Sequence, residues 1–367
     1  MKMDSASPLF TVIVPAYNVE KYIGECLDSF LRQTDPDFKV LIVNDGATDS
    51  TGEIAKTYAA AYPDVFQYVE QENRGLGAAR NVGLALVDTL YVGFLDSDDW
   101  LDCFFFEKVK RELTWQKEPV DIFFTLPWIY DMVSRQIQPW NDKDLLERLF
   151  YAQGDAEDVP SRVMNIDAEF GLQLYDLEAS SCRCIFRTAF LKQIGFRFSE
   201  GLKWEDVQPH FLAIHHAKRC VGVKSTGFFY RVNSGGQITS GNGASRLDII
   251  PVFENTFHMA AEAGWSDSEI AHIAKMLCSF SNWSIGITNC EYIDLLLKQL
   301  HVFFHTIPSK YFRLFLQQDS GHCLRERILI WMLRSPFYGI LGDYRFRERA
   351  AVCLNRVRNL MNKLRRR

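Results

Sequence analysis

Short apolar runs alternate with helix-like stretches in the N-terminal part of the chain, and this alternation restricts the fold more than any other feature. The runs are rich in β-branched residues and cover residues 9–14, 40–43, 65–69 and 90–95. Each run has the length of a strand, and each is followed by apolar residues at helical spacing. This order predicts an α/β fold in which a mostly parallel sheet has helices on both faces.

The length of 367 residues allows one large domain with an appendage. Strand-like alternation ends near residue 240, and the remaining sequence is predicted to be mainly helical. We therefore predict an α/β domain over residues 1–240, a helical region over 241–344 and a basic amphipathic helix over 345–367. Within the first domain the alternation of strand-like and helix-like runs is lost at 125–178, where aromatic, proline and acidic residues are frequent. We interpret this segment as an insertion covering a cleft.

Charge is distributed unevenly along the chain. The composition, with 47% hydrophobic and 24% charged residues, is typical of a folded protein rather than a disordered one. Residues 345–367 carry a net charge of +8, which leaves −13 for the other 344 residues because the whole chain carries −5. The basic helix is expected either to lie on an anionic membrane or to pack on the acidic body of the protein. The modest, acidic net charge argues against nucleic acid as a partner.

The nine cysteines contain no Cys-x-x-Cys pair and are odd in number, so neither a disulfide framework nor a zinc site is favoured. The N-terminus lacks the apolar stretch of a signal peptide, and no uncharged run is long enough to span a membrane. The expected location is the cytoplasm, with peripheral contact at the inner face of the cell membrane as an open alternative.

Polar signatures follow three of the predicted strands. They are residues 15–18 (PAYN), residues 44–49 (NDGATD) and residues 96–99 (DSDD). Each alone is compatible with an ordinary turn, and Asn18 is a plausible N-cap of the first helix. All three follow strands of one parallel sheet, where ligands bind at the carboxyl edge.

Three carboxylates within residues 96–99 repel one another unless a cation holds them. Hard oxygen ligands suit Mg²⁺ or Mn²⁺, which keep waters and take further ligands from substrate phosphates. This pattern favours a site for a nucleotide diphosphate. A fourth segment, residues 72–83, opens the third helix, where its glycines permit close backbone approach and Arg80 could face an anionic or planar ligand.

Together these segments resemble glycosyltransferase family 2, whose members have the Rossmann-like GT-A fold and invert the configuration of the transferred sugar. The resemblance rests on residues 12–18 (VIVPAYN), 44–49 (NDGATD), 73–83 (NRGLGAARNVG) and 96–99 (DSDD), in this order and spacing. It covers residues 9–115 closely and continues to about residue 240. It implies an enzyme of the capsule or O-antigen type, a hexosyltransferase or N-acetylhexosaminyltransferase, with a UDP-sugar as donor.

The resemblance also implies roles for individual residues. The residues expected to contact the nucleotide-sugar are Pro15, Ala16, Tyr17, Asn18, Asp45, Arg80, Asp96, Ser97 and Arg231. Among them, Asp45 would accept from the uracil N–H, Arg80 would lie beside the base or ribose, and Arg231 would bind the diphosphate. Asp98 would ligate the Mn²⁺ or Mg²⁺ ion.

A Glu-Asp pair within residues 198–206 (FSEGLKWED) occupies the place of the family's catalytic base. Asp206 is expected to take the proton from the acceptor hydroxyl, and Glu205 to orient the acceptor. Trp204 could stack on an acceptor sugar or belong to the core. Because Asp206 stands at the start of a predicted helix, an N-cap is the alternative to a base.

The expected function is transfer of a sugar from a UDP-sugar to a glycan acceptor, lipid-linked in the favoured version, during synthesis of a surface polysaccharide. Two alternatives stay open at this point. One is a lipid-phosphate sugar transferase of the same family, and the other is a scaffold that binds nucleotide-sugars without catalysis.

Overall fold

The computed structural model describes residues 8–151, 159–168, 170–234, 241–318, 324–336 and 338–339. The chain divides into two compact units, Met1–Gln237 and Ile238–Arg367. The basic segment 345–367 lies outside the described residues.

The first unit is built on one ten-stranded sheet. Its strands are β1 (Phe10–Ala16), β2 (Phe38–Asn44), β3 (Phe66–Glu70), β4 (Tyr91–Phe94), β5 (Trp100–Leu101), β6 (Ile122–Asp131), β7 (Ile137–Pro139), β8 (Val163–Met164), β9 (Cys184–Arg187) and β10 (Cys220–Val232). Its helices are α1 (Ile23–Leu31), α2 (Thr51–Ala61), α3 (Leu76–Ala85), α4 (Phe105–Trp115), α5 (Lys143–Phe150), α6 (Thr188–Gln193) and α7 (Val207–His216). Two short 3₁₀ turns, Gly171–Asp176 and Ser181–Arg183, precede β9.

The strand order is β3-β2-β1-β4-β9-β6-β10-β5, with β7 beside β6 and β8 beside β10. Strands β1 to β4 pair in parallel, as the sequence pattern predicts. Beyond β4 the sheet is mixed, because β9 runs antiparallel to both β4 and β6, whereas β6 and β10 are parallel. Every residue of β1 is buried, which is typical of a central strand covered on both faces. The predicted α/β class is confirmed.

Strand β6 runs through residues 125–131, so the expected loss of regular structure at Thr125 is wrong for this stretch. Pro127 within the run misled the interpretation, since proline cannot donate to a sheet ladder. It lies where β6 changes neighbours: residues 122–124 pair with β9, and residues 128–130 pair with β7. The proline therefore stands between two pairings on this side of β6, and on the other side it lies where the pairing with β10 shifts register, between Leu126 and Trp128.

Asn18 is not the N-cap of the first helix. Helix α1 begins at Ile23, and the N-cap residue is Tyr22, which makes no side-chain cap hydrogen bond. Asn18 instead has a left-handed backbone, with φ of 51°, and its Oδ1 accepts from the Thr48 amide at 2.8 Å. The side chain thus joins the loop after β1 to the loop after β2.

The second unit is helical throughout its described part, as expected from the end of strand alternation. Its helices are α8 (Ile249–Glu262), α9 (Asp267–Ile287), α10 (Ile293–Thr306), α11 (Ser309–Gln318) and α12 (Leu324–Leu333), preceded by a 3₁₀ turn at Ala244–Asp248. Helix α9 begins with a capping box, in which Ser266 and Glu269 each accept from the other's backbone amide. Among the described residues of both units, no helix combines the length and apolar content needed to cross a bilayer.

Candidate active site

The loops after β1, β2 and β4 lie side by side at the carboxyl edge of the parallel strands. The Asp45 amide donates to the Ala16 carbonyl at 2.9 Å, and the Leu95 amide donates to the Ile13 carbonyl at 3.1 Å. These bonds bring residues 15–18, 44–49 and 96–99 to one edge of the sheet. Of the side chains expected to face a nucleotide there, Pro15 and Ala16 are buried, whereas Tyr17 is 46% exposed.

Asp45 holds the glycine-rich loop that precedes α3 through hydrogen bonds. Its carboxylate is buried and accepts from the Arg74 amide at 2.9 Å, the Gly75 amide at 2.8 Å and Gln71 Nε2 at 2.6 Å. Gly75 has φ of +87°, a conformation that glycine adopts without strain. Because a carboxylate has about four lone-pair positions, one acceptor position of Asp45 is left for the predicted contact with a nucleobase.

Arg80 is buried between three carboxylates. Its Nη2 donates to Asp96 Oδ1 at 2.7 Å, and its Nη1 donates to Glu205 Oε1 at 2.8 Å and to Asp206 Oδ1 at 3.0 Å. The guanidinium is only 1% exposed. Burial alone would lower the pKa of Arg80, but the charges of these carboxylates raise it well above its usual value. Arg80 therefore joins the acidic segment after β4 to the Glu-Asp pair more than a hundred residues later, rather than facing an open cleft.

Gly77 allows α3 to approach the loop that carries the Glu-Asp pair. A Cβ atom at this position would lie 2.1 Å from the Ser199 carbonyl oxygen and 3.4 Å from Glu205 Cβ. Real Cβ atoms do not approach backbone that closely, so any larger residue would push the helix and loop apart. Gly77 therefore allows close packing between α3 and a loop of the same chain, and this packing places Arg80 against Glu205.

Asp206 directly precedes α7 but is not used as a cap, since its side chain makes no capping hydrogen bond. Its Oδ1 accepts from Ser181 Oγ at 2.7 Å as well as from Arg80. The side chain of Asp206 is 17% exposed and that of Glu205 is 6% exposed. Burial raises the pKa of Glu205 above its usual value, against the lowering effect of Arg80. Of the two carboxylates, Asp206 is thus the more accessible to a substrate.

Trp204, directly before the Glu-Asp pair, has an unusual backbone conformation. Its φ is 64°, in the left-handed region that a bulky residue rarely occupies. Such strain persists where surrounding contacts fix the backbone, and it is common at functional sites. The Val207 amide donates to the Trp204 carbonyl at 3.1 Å, which closes the turn around Glu205 and Asp206.

The acidic segment after β4 contains two carboxylates in addition to Asp96. Burial, followed by the charge of Asp96, raises the pKa of Asp98 to about 6. Asp99 is more deeply buried, and burial together with the neighbouring carboxylates raises its pKa well above the usual range. Its Oδ1 accepts from the Arg231 amide at 2.8 Å. Ser97, between Asp96 and Asp98, is buried.

Arg231, at the end of β10, supports the same segment. Its Nε donates to the Asp98 carbonyl at 2.7 Å, and its Nη2 donates to Glu25 Oε2 at 2.7 Å. The rings of Trp100 and Tyr22 flank the guanidinium at 4.6 and 4.9 Å. Arg231 thereby fixes the backbone of Asp98, and binding of a diphosphate by this side chain stays a prediction.

The donor groups at this edge suit a metal ion that takes most of its ligands from substrate and water. Among the residues described, no three His, Cys, Asp or Glu side chains are arranged to hold a metal by themselves. Asp96 is engaged by Arg80, which leaves Asp98 as the candidate carboxylate. Mg²⁺ sites with one or two protein carboxylates, completed by phosphates and water, are common in enzymes that act on nucleotides. The residues present fit a site of this kind.

Comparison with known proteins assigns this unit to a family. The sequence model described as Glycosyl transferase family 2 matches residues 11–184, which include the three strand-end loops and Arg80. These residues form a family 2 glycosyltransferase domain. The match ends before Glu205 and Asp206.

Two curated relatives that share the domain are much longer than this chain. Glycosyltransferase GlyA of Streptococcus pneumoniae is 47% identical over 103 residues, which are 28% of this chain and 15% of GlyA. Minor teichoic acid biosynthesis protein GgaB of Bacillus subtilis is 30% identical over 230 residues, which are 62% of this chain and 23% of GgaB. The chain therefore spans less than a quarter of the length of either relative.

Solved structures with the GT-A fold resemble this chain. S. aureus TarS 1–349, in a crystal structure with UDP-GlcNAc, is similar with a TM-score of 0.66 and 22% identity, over 92% of this chain and 91% of TarS. The mannosyltransferase PcManGT from Pyrobaculum calidifontis, solved with GDP-Man and Mn²⁺, has a TM-score of 0.53 and 18% identity, over 92% of this chain and 86% of PcManGT. At these identities the likeness establishes the GT-A fold alone.

The sequence gives no indication that two further residues contribute to the site. Ser181 lies in a short run of small residues that is typical of a loop, and Glu25 is a surface acid on the first turn of α1. Each gains its role from a side chain distant in the chain, Asp206 and Arg231 respectively. No local pattern could have identified them.

Proposed function

We propose that this protein is an inverting glycosyltransferase that moves a sugar from a UDP-sugar to a glycan acceptor, with Asp206 as the general base. The observation that carries the proposal is the accessible carboxylate of Asp206, held by Arg80 beside the acidic segment 96–99. The relatives support the substrate class: TarS binds UDP-GlcNAc, and GgaB is named for teichoic acid biosynthesis. We infer that the acceptor belongs to a surface polysaccharide and is lipid-linked.

The reaction needs one proton acceptor and one leaving group. Asp206 takes the proton from an acceptor hydroxyl as that oxygen attacks the anomeric carbon of the donor sugar. The bond from the anomeric carbon to the diphosphate oxygen breaks, and its electron pair leaves with UDP. Attack in line with the departing group inverts the configuration, so an α-linked donor gives a β-linked product. Glu205, more deeply buried, orients the acceptor side of the site.

Asp98 is the residue proposed to hold Mg²⁺ or Mn²⁺. When bound, the ion would supply positive charge that neutralises the charge developing on the diphosphate as it leaves. The protein contributes the position of Asp98, whose carbonyl is fixed by Arg231 Nε at 2.7 Å.

A screen of UDP-sugars tests this function. We expect the purified protein with Mn²⁺ or Mg²⁺ to release UDP from one donor of the panel, and EDTA to reduce the rate at least about 10-fold, equivalent to about 1.4 kcal/mol of transition-state stabilisation. Adding excess Mn²⁺ back is the control, because it should restore the rate. If no donor of the panel is turned over, or if a GDP-sugar is preferred, the proposed donor class is wrong.

We also propose that residues 345–367 bring the protein to an anionic membrane surface, where a lipid-linked acceptor would lie. The support is the net charge of +8 on this segment, since each basic residue near an anionic surface contributes about 1 kcal/mol. Removing these residues is expected to abolish sedimentation with vesicles containing phosphatidylglycerol. Pure phosphatidylcholine vesicles are the control and should bind neither form. Undiminished sedimentation of the shortened chain would show that the segment has another role.

A further inference from the structure

Two donors hold the same oxygen of Asp206. Ser181 Oγ donates to Oδ1 at 2.7 Å, and Arg80 Nη1 donates to Oδ1 at 3.0 Å. Within the described part of the chain, no side chain or amide donates to Oδ2. We infer that Ser181 is a positioning residue that orients Asp206, so that Oδ2 is the oxygen that takes the acceptor proton. This inference rests on the proposed function of Asp206 as the base.

Arg80 alone is poorly suited to fix the orientation of Asp206. The same Nη1 atom also donates to Glu205 Oε1 at 2.8 Å, and Nη2 donates to Asp96. The guanidinium is thus shared among three carboxylates. Ser181 has one hydroxyl proton, and it is given to Asp206 alone. The pair of donors on Oδ1 restricts rotation about the terminal side-chain bond, which is otherwise broad for aspartate.

The position of Ser181 is fixed by the sheet. It begins the 3₁₀ turn Ser181–Arg183, which leads directly into β9 between β4 and β6. The Arg183 carbonyl accepts from Thr125 Oγ1 at 3.0 Å, so the turn is tied to β6. Cys182 in the same turn is buried, with its Sγ 3.7 Å from Arg80 Nη2. Ser181 is therefore presented to Asp206 by a rigid element rather than by a surface loop.

Ser181 and the residue before it provide matched control variants. Ser180 lines the same small cavity as Ser181, together with Phe124, Phe186 and Ile214, but it makes no hydrogen bond to Asp206. Ser180→Ala is therefore a control for loss of a hydroxyl in this turn. Ser181→Thr keeps the hydroxyl and adds one methyl group to a residue that lines this small, largely apolar cavity.

The test measures transfer kinetics for Ser181→Ala, Ser181→Thr and Ser180→Ala with the donor found in the screen. We expect Ser181→Ala to lower kcat about 10-fold or more, with the donor KM and the stoichiometry of UDP binding unchanged. Ser181→Thr should recover kcat to within about 3-fold of the value for the unaltered protein. Ser180→Ala should have the same kcat as the unaltered protein. A purely structural role would instead reduce the fraction of protein that binds UDP in proportion to kcat.

A double-variant comparison shows whether Ser181 acts through Asp206. Residues that work as one unit are non-additive, so adding Ser181→Ala to Asp206→Asn should cause no further loss of kcat. The inference is overturned if Ser181→Ala keeps full kcat, or if it lowers the activity of Asp206→Asn by the same factor as in the unaltered protein. Absence of transfer by the unaltered protein would overturn the proposed function, and this inference with it.

Discussion

Replacing Arg80 with methionine is expected to lower the free energy of unfolding by about 3–5 kcal/mol. The guanidinium is 1% exposed and holds Asp96, Glu205 and Asp206 through three hydrogen bonds of 2.7 to 3.0 Å. Methionine has a similar length but no charge, so it leaves neighbouring carboxylates with mutual repulsion and no cation. Equilibrium denaturation followed by circular dichroism measures the difference.

The matched control is Arg74→Met, six residues earlier. Arg74 is 57% exposed, and its Nη2 pairs with Glu200 Oε2 at 2.7 Å. Surface pairs of this kind contribute up to about 1 kcal/mol, so this variant should unfold nearly as the original protein does. Adding Glu205→Gln to Arg80→Met should recover part of the loss, because it removes one buried charge that has no partner. Equal stability of the Arg80 and Arg74 variants would contradict the role assigned to Arg80.

The parallel part of the sheet could be predicted from the sequence because the patterns that indicate its strands and helices are local. Each strand from β1 to β4 is a short apolar run. A helix directly follows each of β1, β2 and β3, whereas the short strand β5 lies between β4 and α4. The strand-end loops were predictable for the same reason, since parallel topology alone brings them to one edge. Where a local signal competed with a distant contact, the distant contact decided the structure. Asn18 resembles a helix cap in sequence, but its side chain bonds to Thr48 instead.

The connections within the site could not be predicted, because they join residues far apart in the chain. Arg80 and Glu205 are separated by 125 positions, and no periodicity relates them. Gly77 did give a signal, since glycine early in a helix is costly unless close approach requires it. The sequence could not identify what approaches, which is the backbone of Ser199. Ser181 gave no signal at all, because its chemistry depends entirely on Asp206.

Asp206→Asn is expected to reduce kcat for sugar transfer by about 10²–10⁴-fold, the usual contribution of a general base. Asparagine has the same shape, and its amide oxygen can still accept from Arg80 and Ser181, which now bond to Oδ1. The variant should therefore fold, and it should bind UDP with unchanged affinity. What it loses is the carboxylate oxygen that takes a proton from the acceptor hydroxyl. Initial-rate kinetics with saturating donor measure the loss.

Glu200→Gln is the matched control for this prediction, because Glu200 is a carboxylate on the same loop that pairs with Arg74 and Arg197 at the surface. Its removal should leave kcat within about 2-fold, since exposed pairs contribute little. The two variants together separate the loss of a base from a general change in the charge of the loop. A fully active Asp206→Asn would exclude Asp206 as the base. If Glu205→Gln alone then lost activity, the buried carboxylate would take that role, and its raised pKa would become part of the mechanism.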